Sequence, residues 1–311
     1  MKSCIRGDSG SATILMMLIA AVIITVGIGF NWLVREHIRA SEGLKNKAEA
    51  ILKARSAYDT IVYLILNGSV LPKEIVVMGG DDISQIKTLP LNGQEVSLSG
   101  DVRIRIQESN GLLSLNTINI HNIHPFERLI KRVGFTDTAA IAIDSLLDWV
   151  DVDSFSRVNG AEEFYYKGFG LPYGPRNYAV QYMEEIKFIR GFSEELYGKL
   201  QPYVTMLPST GFNPNTASDE VLKAYLDIDE EYLKTLKDYM AKKPVQSDGE
   251  LFALTGKRIT GDEDSIYFSP SSFMDVTVSV GQPKSIYTIK AGLRIVQRKD
   301  SPYSILYWRE A

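Results

Sequence analysis

The stretch ATILMMLIAAVIITVGIGF, residues 12–30, holds nineteen residues without a charge, and Thr13 and Thr25 are its only polar interruptions. A run of that length spans the hydrocarbon core of a bilayer. A secretory signal peptide has a shorter apolar region, roughly 7 to 15 residues, ending at small residues before a cleavage site. Here the run continues without a break into charged, helix-compatible sequence, so a membrane anchor over 12–34 is the stronger reading. No proline occurs before Pro72, and an apolar stripe continues through Leu44, Ala48, Ile51, Ala54, Tyr58, Ile61 and Ile65 at spacings of three and four. The pattern predicts one helix over 11–68, of which the part up to Leu66 would be roughly 80 Å long at about 1.5 Å per residue.

Ahead of this helix stands MKSCIRGDSG, with Lys2 and Arg6 on the side that basic residues hold in the cytoplasm. Everything past Val34 is then placed across the membrane. A short basic leader ending in glycine and followed directly by an apolar helix resembles the type IV prepilin class, in which a membrane peptidase cuts after the glycine. The resemblance implies processing between Gly10 and Ser11. Removing the leader also removes Cys4, the only cysteine, and leaves 32 basic and 37 acidic residues, a net charge of −5. Cys4 lacks the preceding apolar stretch of a lipoprotein site, and the mature body has no thiol for a disulfide, a nucleophile or a metal thiolate. Pilins of that class mostly carry Glu as the fifth mature residue; here the position is Leu15. A carboxylate in lipid is costly unless paired, so a subunit with no upper neighbour is better without it. That fits the end of a filament.

The whole chain has 311 residues, 45% of them hydrophobic and 23% charged, with a formal net charge of −4. Such a composition suits a globular body and argues against disorder. It also argues against a nucleic-acid binder, which needs a surplus of Lys and Arg on some face.

Beyond the long helix, two groups of strands bracket a helical middle. Val102, Ile104 and Ile106 alternate with Arg103 and Arg105. Met274, Val276, Val278 and Val280 alternate with Asp275, Thr277 and Ser279; a turn at Gly281-Gln282-Pro283-Lys284 leads to Tyr287, Ile289, Ala291, Leu293 and Ile295. These read as strands of one half-buried antiparallel sheet packed on the outer half of the long helix. The expected organisation is a leader (1–10), the helix (11–68), a sheet domain from 69–115 and 265–311, and a helical insert over 116–264. In the insert, Phe126, Leu129, Ile130 and Val133 form a helix face behind Pro125 and stop at Gly134, and Thr136 opens another with Ile143, Leu146, Leu147 and Val150. Thr216 and Asp219 are expected to cap a helix carrying Val221, Leu222, Tyr225 and Leu226; Ser247 and Glu250 make a capping box, with Gly256 as the stop. LSLNTIN (113–119) and FNPNTAS (212–218) look like two openings of one helical-hairpin unit. The unit resembles a helix-hairpin-helix, but its turns at 133–136 and 226–229 lack a glycine pair, and Asp227 and Asp229 would repel phosphate.

The leader, the stretch LLDWVDVDSFSRVNGAEEFYY (146–166), the stretch YMEEIKFIRGFSEELYGKLQPYVT (182–205) and the stretch FNPNTASDEVLKAYL (212–226) occur in the order seen in the type II secretion minor pseudopilin K family, which the chain resembles over nearly its whole length. The resemblance implies an α+β fold of type IV pilin kind, a long helix packed on an antiparallel sheet, with a large inserted helical domain (SAM-like or helix-hairpin-helix-like). It implies a place at the pseudopilus tip with minor pseudopilins I and J, and contact with pseudopilin H, the prepilin peptidase and the inner-membrane assembly platform. The location implied is the bacterial inner membrane, single-pass, with a periplasmic body. The absence of the fifth-position Glu is a family trait as well.

Asp144, Asp148 and Asp151 fall at i, i+4 and i+7 of one helix expected to end near Val152, and Asp153 follows. Carboxylates in a last helical turn face the negative end of the dipole, each at a cost of roughly 0.3 to 1 kcal/mol, so oxygens gathered there call for a cation. Glu162 and Glu163 could close the shell after the loop. The expected metal ligands are Asp148, Asp151, Asp153, Glu162 and Glu163, and oxygen-only donors favour calcium. The spacing is not that of an EF-hand, and a solvated acidic helix end is the plainer alternative. The resemblance also implies calcium in this domain. His121 and His124 form an HxxH pair with no third nitrogen or sulfur ligand, and Tyr165, Tyr166, Tyr173 and Tyr178 are expected to pack a long Gly/Pro-rich loop. With three histidines and no convergent acid, base and nucleophile, the reading is not an enzyme. The alternatives are a minor pilin of a type IV pilus or competence system, and a membrane-tethered calcium-dependent binding module.

Overall fold

In the computed structural model of the chain, residues 9–77, 86–118, 123–257, 266–281, 286–296 and 300–311 are described. The leader up to Asp8, His121 and the expected turn residues 282–284 lie outside them. Helix α1 runs unbroken from Ser9 to Asn67, 59 residues, because no proline or paired glycine interrupts it. The chain forms two compact units, Met1–Lys53 and Ala54–Ala311. In the first, the apolar side chains of α1 from Ala12 to Ala48 are exposed, including Leu15, and Leu44 is 72% exposed. The one polar hydroxyl placed deep in that run, Thr25, donates to the carbonyl of Ala21 at 2.8 Å, so the helix satisfies it internally. Among the described residues, α1 is the only helix long and apolar enough to cross a membrane.

In the second unit, Ala54, Ala57, Tyr58, Ile61, Val62, Leu64 and Ile65 are buried. The lower half of the stripe is therefore covered, while Leu44 and Ala48 of its upper half are not. After short strands β1 (Ser69–Val70), β2 (Glu74–Val76) and β3 (Thr88–Pro90), the main sheet is formed by β4 (Asn92–Ser99), β5 (Val102–Glu108), β8 (Phe273–Val280), β9 (Tyr287–Ile295) and β10 (Tyr303–Glu310). Their order is β10-β9-β8-β5-β4, antiparallel throughout. The alternation read in the sequence sets the register: Ile104 pairs with Val278 and Val278 with Ile289, while Ile106, Val276, Ala291 and Trp308 form the next row. That face meets the last turns of α1, where Tyr58 packs edge-on against Trp308 at 4.7 Å and Arg55 pairs with Glu310 at 3.3 Å.

The opposite face, with Arg105, Thr277, Asp275, Lys290, Tyr307 and Arg309, receives the helical region. Asp275 accepts hydrogen bonds from Thr205 at 3.1 Å and from Tyr307, and Arg309 reaches Glu184 at 2.6 Å. The helices are α2 (His124–Arg132), α3 (Ala139–Val150), α4 (Glu163–Gly168), α5 (Glu194–Leu200), α6 (Asp219–Leu226), α7 (Glu230–Met240) and α8 (Asp248–Thr255), with β6 (Leu113–Ser114) and β7 (Val204–Thr205) paired in parallel. Sheet and helices together make one compact unit.

Two hydrophobic clusters fill the helical region. One gathers Leu115, Phe126, Leu129, Ile130, Leu146, Tyr166 and Leu196; the other gathers Phe212, Leu222, Leu226, Leu236, Val245 and Leu251. The two openings matched in the sequence do the same work in each. Asn116 accepts from the Val180 amide at 2.7 Å and donates to the Val180 carbonyl at 3.0 Å; Asn215 does so with Val245 at 2.8 and 2.9 Å. Arg128 of α2 joins the two hairpins, donating to the carbonyls of Ala224 and Tyr225 at 2.6 and 3.1 Å and so satisfying orphan carbonyls at the end of α6.

Two local expectations are corrected. The residue before α6 is Ser218, with extended backbone and no side-chain cap, because the Thr216 hydroxyl is turned inward to Glu108. Helix α3 stops at Val150, where Asp151 turns to extended backbone, two residues before the expected end. At Ser247 and Glu250 one arm of the box forms, Ser247 Oγ accepting from the Glu250 amide at 3.3 Å, while the Glu250 carboxylate accepts from the Gln246 amide at 2.9 Å, and Gly256 closes α8 at φ 65°.

Glu108, at the end of β5, is fully buried. Its carboxylate accepts from the amides of Asn110 and Ser271, both at 2.9 Å, from Asn213 Nδ2 at 3.1 Å and from the Thr216 hydroxyl. Burial pushes its carboxyl above the ordinary range, against the downward pull of these four donors. Glu108→Gln turns one acceptor oxygen into a donor facing another donor. It is expected to destabilise the folded unit by about 2 to 4 kcal/mol, read as a lower denaturant midpoint at unchanged m-value.

Candidate functional site

The acidic residues around the end of α3 divide into two groups with different partners. Asp144 and Asp148 stand one turn apart, and both face the loop that follows the helix. Asp144 accepts from the Asn159 amide and from Asn159 Nδ2, both at 3.0 Å. Asp148, fully buried, accepts from Arg157 Nη1 at 2.6 Å, from the Arg157 amide at 3.1 Å and from Ser156 Oγ at 3.4 Å. The segment Ser156-Arg157-Val158-Asn159-Gly160 is thereby stitched to two successive turns of the helix. Gly160 is required for this approach: a Cβ there would stand 1.9 Å from Asp148 Oδ2. Its carbonyl is held in turn by Arg190 Nη1 at 2.9 Å.

The second group is Asp151, Asp153 and Glu162. One carboxylate oxygen from each lies within 4.8 Å of the other two. Asp151 occupies the C-cap of α3 and Glu162 the N-cap of α4, so two helix ends and the loop between them build the cluster. Asp153 is fixed by the Phe155 amide at 2.8 Å. Asp151 Oδ1 and Glu162 Oε1 are buried and have no hydrogen-bond partner among the described residues. Burial first, and then the charges of Asp148, Asp151 and Asp153, push the Glu162 carboxyl up to about 6.

Among the described residues, Arg157 is the cation bonded into this cluster, and it bridges the two groups, with Nη1 2.6 Å from Asp148 and 2.5 Å from Asp151. One guanidinium against four carboxylates leaves an excess of negative charge. Hard oxygen donors of this kind, two of them orphaned, are chemically suited to hold a cation such as calcium. Of the five expected ligands, Asp151, Asp153 and Glu162 are brought together. Asp148 and Glu163 are placed elsewhere: Asp148 is consumed by Arg157 and the loop amide, and Glu163 points out to Lys167 at 2.7 Å, one turn on along α4. The loop residues Ser156, Arg157, Asn159 and Gly160 were missed in the sequence; the helical spacing of Asp144 and Asp148 carries no mark of which loop they bind.

Of the HxxH pair, only His124 is among the described residues. His124 is exposed and lies 3.9 Å from Glu127. Tyr165, Tyr166 and Tyr173 pack the long loop, with ring centroids 5.4 and 5.7 Å apart, whereas Tyr178 is exposed. A cavity lined by Trp149, Tyr173, Tyr182 and Phe188 has a carboxylate, Glu185, in its wall, but Arg176, Trp149 Nε1 and the Gln181 amide take up both its oxygens.

Residues 109–209 match the family model of the type II secretion system protein K. The chain is 25% identical over 276 residues to the type II secretion system protein K of Aeromonas hydrophila, covering 82% of this chain and 81% of that relative. It is 24% identical over 258 residues to the protein K of Pectobacterium carotovorum, covering 76% and 75%. Among solved structures, a chain in the GspK-GspI-GspJ complex of the type 2 secretion system of enterotoxigenic Escherichia coli matches with a TM-score of 0.53 at 16% identity, covering 89% of this chain and 99% of that one. The shared fold is α+β and pilin-like with a helical insert.

The stitched loop gives a direct expectation. Gly160→Ala must displace Asp148 from Arg157 and should cost about 1 to 3 kcal/mol by overpacking, with proteolysis appearing first within 151–162.

Proposed function

We propose that this chain, similar over most of its length to type II secretion system protein K, is a minor pseudopilin of that family that sits at the tip of the pseudopilus and nucleates its assembly with minor pseudopilins I and J. The observation that carries the reading is α1, whose apolar run is exposed from Ala12 to Val34 with Leu15 where an acid would pair with an upper neighbour. A helix of this kind is stable in lipid alone, and it can leave the bilayer when partner helices cover the same side chains. The body is periplasmic and the leader cytoplasmic, and the prepilin peptidase cuts between Gly10 and Ser11. Pseudopilin H and the inner-membrane assembly platform are further partners. The role is structural and not catalytic.

Assembly is tested by co-expressing the full chain with pseudopilins I and J and the peptidase, then sequencing the N-terminus and isolating the complex from detergent. A mature terminus at Ser11 and a three-subunit complex are expected, and Gly10→Leu should leave the leader attached and the complex unformed. A mature chain that ignores I and J yet joins the minor pilins of a type IV pilus would favour the pilus reading.

We also propose that Asp151, Asp153 and Glu162 hold calcium. The ion would neutralise the cluster and brace the loop between α3 and α4. Millimolar calcium should raise the melting temperature of the full chain in detergent and a chelator should lower it, since a ligand that binds only the folded state stabilises it. Asp151→Asn and Glu162→Gln should each weaken binding by about tenfold or more. No calcium response in the unaltered chain would remove this proposal and leave the assembly reading in place.

A further inference from the structure

Asp151 has one oxygen tied and one free. Its Oδ2 accepts from Arg157 Nη1 at 2.5 Å, while Oδ1 is buried without a partner and Asp151 is grouped with Asp153 and Glu162. The Arg157 group cannot drift, because the same Nη1 is held by the fully buried Asp148 and its own backbone amide donates to that carboxylate too. Glu162, only 6% exposed, brings a carboxylate oxygen to the same cluster, and its Oε1 is buried without a partner among the described residues. A helix carboxylate, a loop guanidinium and a cap carboxylate thus form a relay that ends on the free oxygen of Asp151.

We propose that Arg157 is the positioning residue of this cation site: by holding Oδ2 it presents Oδ1 of Asp151 as a single-oxygen ligand beside Asp153 and Glu162. The assignment rests on the calcium reading and deepens it. Its consequence has an unusual sign. A guanidinium close to a divalent ion repels it, so on Coulomb grounds alone removing Arg157 should tighten cation binding. If Arg157 positions Asp151, removal frees the carboxylate to rotate and weakens binding instead. A merely structural Arg157 would alter folding stability and leave the affinity alone.

The experiment titrates the full chain in detergent with calcium by calorimetry and with terbium by luminescence, comparing Arg157→Gln and Arg157→Lys with the unaltered protein, folding being checked by circular dichroism. Arg157→Gln is expected to lose at least about tenfold in calcium affinity. Arg157→Lys keeps the charge and lacks the planar fork, so an intermediate loss of about threefold or more is expected, and it supplies the answer should Arg157→Gln fail to fold. Unchanged or tighter binding in either folded variant overturns the assignment while leaving the calcium site standing. Silence of the unaltered chain toward both ions removes the calcium reading and the assignment together.

Discussion

The buried carboxylate of Glu108 is the constraint on which the two halves of the folded unit depend. It ends β5 and accepts from residues 110, 213, 216 and 271, which lie where the chain leaves the sheet, in the middle of the helical region, and where it returns to β8. A charge taken out of water costs several kcal/mol unless its hydrogen bonds are replaced. Four donors replace them here, and each comes from a segment whose own position is thereby fixed. Ser109 adds to the knot through Ser271 and the Pro208 carbonyl, both at 2.8 Å, and Asn110 through the Thr210 amide at 3.0 Å. The helical region is therefore tied to the sheet at its root as well as along the face, where Asp275 and Arg309 meet it.

The elements with a strong period were legible in the sequence. Alternation gave β5, β8 and β9 in register, the glycine and proline marks gave α2 and α8, and the likeness of LSLNTIN to FNPNTAS marked two related openings, whose asparagine clasps only the structure shows. What was not legible depends on long-range polar choice. Thr216 is three residues ahead of α6 and chemically fit to cap it, yet Glu108, 108 positions earlier, takes its hydroxyl. The same competition decides the acidic cluster. Asp144 and Asp148 have the helical spacing of ligands, but loop amides and Arg157 reach them first. Asp151, one residue past the helix, is left with a free oxygen because the backbone has already turned to the extended form.

Beyond Cys4 the chain has no cysteine to cross-link long connections, and the structure closes them with side chains bonded to backbone instead. Asn116 to Val180 closes 64 residues, Asn215 to Val245 closes 30 and Asp144 to Asn159 closes 15. Because the entropy of loop closure grows only slowly with length, one well-made polar clasp can hold a long irregular segment provided that the clasp is buried. Val180 and Val245 are both buried, so water competes poorly for the bonds they make. The loop from 151 to 162 is the exception. Its stitches hold residues 156–160, while Asp151, Asp153 and Glu162 on either side share an excess of negative charge that no described side chain fully offsets. A bound cation would supply there what a buried clasp supplies elsewhere, and Arg157 is already anchored to offer part of that charge from within the chain.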